Sequence, residues 1–403
     1  MGGIVRFRIH RAAATGVIAA LSGVVAGCGG TADAPPGTIS TTDFGTYSAQ
    51  PPEGDFDVRP DRARGMLVES LRLGEHIVFG SEIAPEVAVQ RYAAVPLGER
   101  GAWSGIQTHQ VVAAQPFNPY AGFTAEAADS PYLGEHSEQP LVSVTLMAFP
   151  DEQSAGAAAG AMAAADFGLN ASNTPVSLPD YPAALTHWIP SYANVGSWMA
   201  VGSVVVHVIA QLQEPRLDQL TALLTKTYRE QARRLEGYAA VAPDGLEALP
   251  MDHDGLLTRL VGTGDNLPDA RDFAVYGLRT YAVLSSQDPA DLVREFEQRG
   301  VTSIAVSDNK YLYALTDPGA AVNFAGYLSE TPTVSEYVRM DGVSGTDEIN
   351  CFQASVPNPT EAQARRFRCV IPHRNVVAEV FSDRESDVRQ LAAAQYALLK
   401  DGE

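Results

Sequence analysis

The pattern that most restricts this chain is written twice. Trp198 to Leu224 reads as a strand, a tight turn at Gly202-Ser203, a second strand and a helix. Phe367 to Gln395 reads the same way, with Asp218-Gln219-Leu220 echoed by Arg389-Gln390-Leu391. Upstream, Ala148 to Ala165 and Ala314 to Leu328 both pass from a strand through an Asp into an Ala-rich helix. Hairpins that alternate with helices bury their apolar side chains by laying helices on antiparallel sheet, which is the α+β class. The 403 residues, at about 150 per domain, leave room for two such domains, and 45% apolar with 19% charged side chains is a globular composition. A duplicated α+β domain is the expectation.

The amino-terminal stretch speaks to location rather than fold. Arg6, Arg8 and Arg11 precede an apolar run from Ala12 to Ala26, which ends at Cys28. That is the layout of a secretory signal peptide, and the run is shorter than the roughly 20 residues a spanning helix needs. Val25-Ala26-Gly27-Cys28 resembles the bacterial lipobox. What that resemblance implies is a diacylglycerol thioether on Cys28, cleavage before it, acylation of the new amino terminus, and an extracytoplasmic protein held to the membrane by its acyl chains. From Cys28 to about residue 59 the sequence is rich in Gly, Pro, Ser and Thr, and reads as a disordered tether. The expected organisation is therefore a signal peptide over 1–27, lipidated cysteine and tether over 28–59, one α+β domain over 60–242 and a second over 243–403.

Within the second domain Leu278 to Ser285 reads as a strand. Asp288-Pro289 opens a helix ending at Gly300, and Val301 to Val306 and Tyr311 to Leu315 form a hairpin. A helix after Asp317-Pro318 and a strand from Ile349 complete strand, helix, strand, strand, helix, strand, the element order of a ferredoxin-like fold. A final helix follows Ser382, with Glu385 as its capping-box partner. Residues 85 to 139 are broken by Gly and Pro and predict no clear elements. With Cys28 taken by lipid, Cys351 and Cys369 remain as an even pair on the oxidising side of the membrane, which predicts a disulfide.

Few local constellations carry chemistry. Ser307-Asp308-Asn309-Lys310 compresses the Ser-x-x-Lys and Ser-Asp-Asn pieces of a penicillin-recognising enzyme into one polar turn, and no Lys-Thr-Gly follows. Asp252-His253-Asp254-Gly255 sets a histidine between carboxylates but lacks the spacing of a zinc or calcium site. His207 sits in a Val-rich strand and reads as packed. Trp188, Tyr192 and Trp198 are close enough in sequence to line a ligand pocket. No catalytic residue, metal site or cofactor is predicted. The chain carries 28 basic against 48 acidic side chains, a formal charge of −20, which disfavours nucleic acid as a partner.

The lipobox and tether, the run Leu67-Val68-Glu69-Ser70-Leu71-Arg72, and Gly300-Val301 to Ile304-Ala305 followed by Leu312-Tyr313-Ala314-Leu315 and Asp317 form one set of stretches. With the closing Ala393-Ala394-Gln395-Tyr396-Ala397-Leu398-Leu399, they resemble an uncharacterised two-domain lipoprotein family of mycobacteria, nocardiae and related actinobacteria. The resemblance implies an envelope location and paired domains, and brings no catalytic residues. The expected function is a non-catalytic cell-envelope lipoprotein that binds a ligand or an envelope protein. The alternative is a lipid-anchored hydrolase whose site is assembled from distant residues.

Overall fold

The computed structural model describes residues 40–52, 54–96, 106–131, 139–264, 266–330, 337–355 and 365–401. The signal peptide, Cys28 and the tether up to residue 39 lie outside the described residues.

Among the described residues fourteen strands form two sheets of seven. The first holds β1 (Val89–Ala94), β2 (Ala121–Ala128), β3 (Leu141–Ala148), β4 (Thr174–Val176), β5 (Leu185–Trp188), β6 (Asn194–Val201) and β7 (Val204–Gln211). The second holds β8 (Phe273–Tyr276), β9 (Val301–Ser307), β10 (Lys310–Leu315), β11 (Tyr337–Met340), β12 (Asn350–Ala354), β13 (Phe367–His373) and β14 (Val376–Ser382). Every pairing is antiparallel. The orders are β1-β2-β3-β7-β6-β5-β4 and, read from its other end, β8-β9-β10-β14-β13-β12-β11. Each strand of the first sheet thus has its counterpart seven strands later, and the duplicated pattern in the sequence is a duplicated topology. The register carries over as well: His207 lies opposite Thr145 and Trp198, as Glu379 lies opposite Tyr311 and Val370.

The helices are α1 (Asp55–Val58), α2 (Arg62–Gly74), α3 (Gly80–Ile83), α4 (Thr108–Ala114), α5 (Glu152–Phe167), α6 (Leu217–Leu235), α7 (Leu278–Ser285), α8 (Pro289–Gln298), α9 (Pro318–Glu330) and α10 (Glu385–Asp401). In the first half α5 and α6 cover opposite faces. Ala155, Ala158, Ala159, Met162 and Ala163 of α5 pack on Met147, Trp198 and Val205, whereas Leu220, Leu223, Leu224 and Tyr228 of α6 pack on Val195, Val204, Val206 and Val208. This explains why β7 reads as a nearly unbroken apolar run: both its faces are buried. Burying each α6 leucine is worth about 1.5–3 kcal/mol. In the second half Arg368 reaches the Leu328 carbonyl of α9, while the next residue, Cys369, faces Val388 of α10, so these helices also take opposite faces. The Cys351 and Cys369 sulfurs stand at disulfide distance, 2.01 Å, across directly paired positions of β12 and β13.

Two expectations are corrected. Leu278 to Ser285 is the helix α7, not a strand, and the first strand of the second half is β8 just before it. Its branched residues favour a strand locally, but Glu75 at the end of α2 accepts the free N–H groups of Arg279 (3.3 Å) and Thr280 (2.7 Å). A cap supplied from 200 residues away is invisible to local patterning. With β8 in first place the order becomes strand, two helices, strand, strand, helix, strand, and the sheet joins the units β9-β10-α9 and β13-β14-α10 through the pairing of β10 with β14.

Residues 40–59, expected to belong to the tether over 28–59, are docked from Ser40 onward. Ser40 bridges Ser344, Gln390 donates to Asp43 (3.1 Å), and the Tyr47 hydroxyl donates to Asp387 (3.1 Å). Burial, then the Asp387 charge, pushes the Tyr47 pKa up to about 12. Phe44, Tyr47 and Phe56 pack against the core of the second half. The segment is polar enough to read as disordered, yet three aromatic anchors suffice to dock it.

Candidate functional site

The two halves meet around α2. Val68 and Leu71 of this helix belong to the same core cluster as β8 and the segment from Met251 to Val261. Between them lies a cavity of about 390 Å³ walled by Val68, Leu71, Leu249, Pro250, Met251 and Val275, with Arg72, Glu75 and His253 at its rim. Gly277 closes one side. A Cβ there would come within 2.4 Å of the Glu75 carboxyl carbon, so a larger residue would push aside the carboxylate that caps α7.

The rim polar groups are already engaged. Glu75 caps α7, and Arg72 pairs with Glu69, which is fully buried and accepts from the Tyr238 hydroxyl (2.6 Å) and the Val241 amide (3.1 Å). Burial, reinforced by Glu69, holds the Tyr238 pKa far above the phenolic range, so it stays a hydrogen-bond donor. Arg279 spans the same junction: its guanidinium pairs with Glu82 (2.9 Å), donates to the Ile77 carbonyl (2.8 Å) and stacks 3.7 Å over the Phe79 ring. The cavity is thus a largely apolar recess, suited to holding an apolar group, and no serine, threonine or cysteine stands among its lining residues.

Of the three residues at 252–254, His253 alone lines the cavity. Asp252 turns away to accept the amides of Leu257 (2.8 Å) and Thr258 (3.0 Å), while His253 and Asp254 form a half-exposed pair at 3.5 Å. The three do not converge. Ser307 ends β9 and is buried; Asp308 takes φ +53° in the turn, and Lys310 is fully buried with its ammonium on Thr263 and Asn309. Burial pushes the Lys310 pKa down to about 8. Among the described residues no histidine or carboxylate bonds to the Ser307 hydroxyl.

The aromatic pocket expected from Trp188, Tyr192 and Trp198 is corrected by strand alternation. Trp198 is fully buried beneath α5, Trp188 packs on the opposite face with the α6 cluster, and Tyr192 is 52% exposed. The Trp188 indole donates to the Tyr192 carbonyl (2.7 Å), which ties two of them together outside any shared recess.

Sequence reasoning missed a polar network beneath α5. Asp166 accepts from His109 (2.8 Å) and Gln110 (2.8 Å) on one oxygen and from His187 (2.8 Å) on the other. Burial alone would raise the Asp166 pKa, but these hydrogen bonds more than reverse that and hold it well below the carboxylate range. His187, Trp198 and His207 then stack in series, with ring centroids 5.0 and 4.9 Å apart. Burial pushes the His207 pKa down to about 4, and its Nε2 has no hydrogen-bond partner. The reading of His207 as a packed residue agrees with this position. His109 and Asp166 stand 57 positions apart, a separation with no motif to announce it. Among the described residues no group of three or more His, Cys, Asp or Glu side chains is arranged to hold a metal ion, and no helix is long and apolar enough to cross a membrane.

Two family models match the chain: the domain of unknown function DUF7373, N-terminal, over residues 56–251, and its C-terminal companion over residues 256–402. The boundary between the matches falls in the segment that walls the junction cavity. No curated protein matches the chain.

Proposed function

Because the chain belongs to the two-domain DUF7373 family and its halves enclose an apolar recess where they join, we propose that it is a non-catalytic cell-envelope lipoprotein that holds an apolar ligand at that junction. The cavity carries the reading. Its size falls within the roughly 300–1,000 Å³ of small-molecule sites, and its position between domains is a common place for them. Six of its walls are apolar side chains from α2, the connecting segment and β8. The leader with its lipobox supports anchoring through Cys28 on the outer side of the membrane, as in the actinobacterial lipoproteins it resembles, and the paired Cys351 and Cys369 fit an oxidising compartment.

Mass spectrometry of the protein extracted in detergent from its native membrane tests the binding reading. An apolar compound should co-purify with the wild-type chain and be lost from Val275→Trp, which fills the recess. An identical set of bound compounds in both would end it. Anchoring is tested separately: Cys28→Ser should abolish acyl labelling and release the protein from the membrane fraction.

A further inference from the structure

The recess at the junction takes its apolar walls from three elements: Val68 and Leu71 of α2, residues 249–251 of the connecting segment, and Val275 of β8. One short piece of chain is tied to all three. It is α1, a single turn of four residues, too short to hold a helix unaided. The Asp57 carboxylate accepts the amides of Met251 (2.7 Å) and Asp252 (2.8 Å), one on each oxygen. Phe56 meets Phe273 edge to face with ring centroids 5.1 Å apart, and Phe273 stands two positions before Val275 on the same strand.

Arg64 joins these contacts to α2. Its side chain is only 3% exposed, and its guanidinium pairs with Asp57 at 3.3 Å. It also donates to the carbonyls of Phe56 (2.8 Å) and Arg59 (2.8 Å), in and just after α1, and to those of Glu247 (2.9 Å) and Leu249 (3.0 Å) in the connecting segment. A buried cation needs its donors satisfied, and three of these five partners come from residues 56–59. If α1 lifts, Arg64 loses those three partners, and the backbone at Met251 and Asp252 loses the carboxylate that holds it. The wall and α1 therefore come free together. Upstream the chain is fixed on α10 through Asp43 and Tyr47, and downstream Asp61 caps α2, so α1 is a short link between two seated stretches. Its outer side is bare, with Val58 74% exposed.

We propose that α1 is a strap that gates the junction recess. Seated, it holds residues 249–252 and β8 against α2 and retains an apolar ligand; lifted, it frees that wall and lets the ligand exchange. The proposal rests on the reading of the recess as a ligand site. Because coupling is reciprocal, a ligand held between the walls also favours the seated strap.

Release of N-phenylnaphthylamine, an uncharged apolar fluorophore, from the purified protein in stopped-flow dilution is the test. Asp57→Ala should release it about tenfold faster or more, and Asp57→Asn, which keeps one acceptor oxygen, should fall between that variant and wild type. Asp151→Ala removes a cap from α5, which lines no part of the recess, and should release at the wild-type rate. Saturating fluorophore should in turn slow hydrogen exchange at the Met251 and Asp252 amides. Release from Asp57→Ala at the wild-type rate, or equally fast release from Asp151→Ala, would overturn the strap and leave the recess reading standing. Fluorophore binding that survives Val275→Trp would overturn the recess, and the strap with it.

Discussion

The two halves of this protein place different chemistry in one structural slot. His207 on β7 and Glu379 on β14 hold equivalent positions, each opposite the same partner strands and each buried beneath the helix that follows the first hairpin of its half. In the first half the slot is filled by a stack of His187, Trp198 and His207, and charge appears only at its margin, on Asp166. In the second half the charge is inside. Arg368 and Glu379 pair at 3.2 Å with 1% and 5% of their side chains exposed, and the Arg368 guanidinium lies 4.3 Å over the Tyr337 ring. Topology therefore dictates that the slot is buried and leaves open how its polar groups are satisfied. The first half tolerates an unpaired imidazole nitrogen by keeping the ring neutral, and the second balances two full charges against each other.

The largest expected effect breaks the second solution. Arg368→Met leaves Glu379 buried without its cation and should cost about 3–5 kcal/mol in urea denaturation, whereas Arg368→Met with Glu379→Leu should recover most of it. A double variant as unstable as the single one would mean that the slot needs charge, and that its tolerance of different chemistry is illusory.

Next comes pH. The folded pKa of His207 is depressed to about 4 from an ordinary 6.5, so the unfolded chain takes up a proton over that window and the folded chain does not. Stability should fall as pH drops from 6.5 to 4, by about 2–3 kcal/mol from this residue. His207→Phe keeps the stack and should flatten that slope. Glu379 has the opposite sign. Burial raises its folded pKa, with Arg368 opposing, so its contribution is fully present at acid pH and is lost as pH rises through the folded value. Denaturation curves of His207→Phe and of the Arg368→Met, Glu379→Leu double variant across pH 4 to 8 should depart from wild type in opposite directions.

Asp166→Asn is a smaller perturbation, because the carboxylate is a quarter exposed: about 1 kcal/mol lost at neutral pH, less as pH falls through the depressed folded pKa. Smallest is a gain. Gly160 in α5 and Gly326 in α9 have nothing within 4 Å of where a Cβ would stand. Replacing each by Ala should raise stability by about 0.5–1 kcal/mol, and equal gains would show that the two helices are as alike energetically as they are topologically.

What the sequence disclosed follows from how local each cause is. The hairpins β6–β7 and β9–β10 announce themselves through branched residues around a two-residue turn, and α5 and α9 through Asp151 and Asp317, whose carboxylates accept amide N–H groups of their own first turns. The repeated pattern of hairpin and helix was legible for the same reason. α7 was not, because Glu75 caps it from another helix, and the docking of residues 40–56 was not, because three aromatic side chains in a polar segment look like chance. The candidate site was the least legible part. The sequence shows His253 only between two carboxylates in a turn, whereas the apolar walls of the recess come from α2, residues 249–251 and β8. Such a cavity is a property of how elements pack, and no spacing encodes it.

The docking of the amino-terminal segment sets an order of events. Tyr47 hydrogen-bonds Asp387, 340 positions later, and Asp43 receives Gln390. During synthesis Tyr47 emerges long before Asp387, so its hydroxyl waits for α10 to be made, whereas Phe56 can already pack on Phe273 of β8, 5.1 Å between ring centroids. The loop that Tyr47 and Asp387 finally close is among the longest this chain permits, and its entropic cost grows only as the logarithm of its length. A protease acting at this segment consequently reports on whether the last helix, α10, has been delivered and seated.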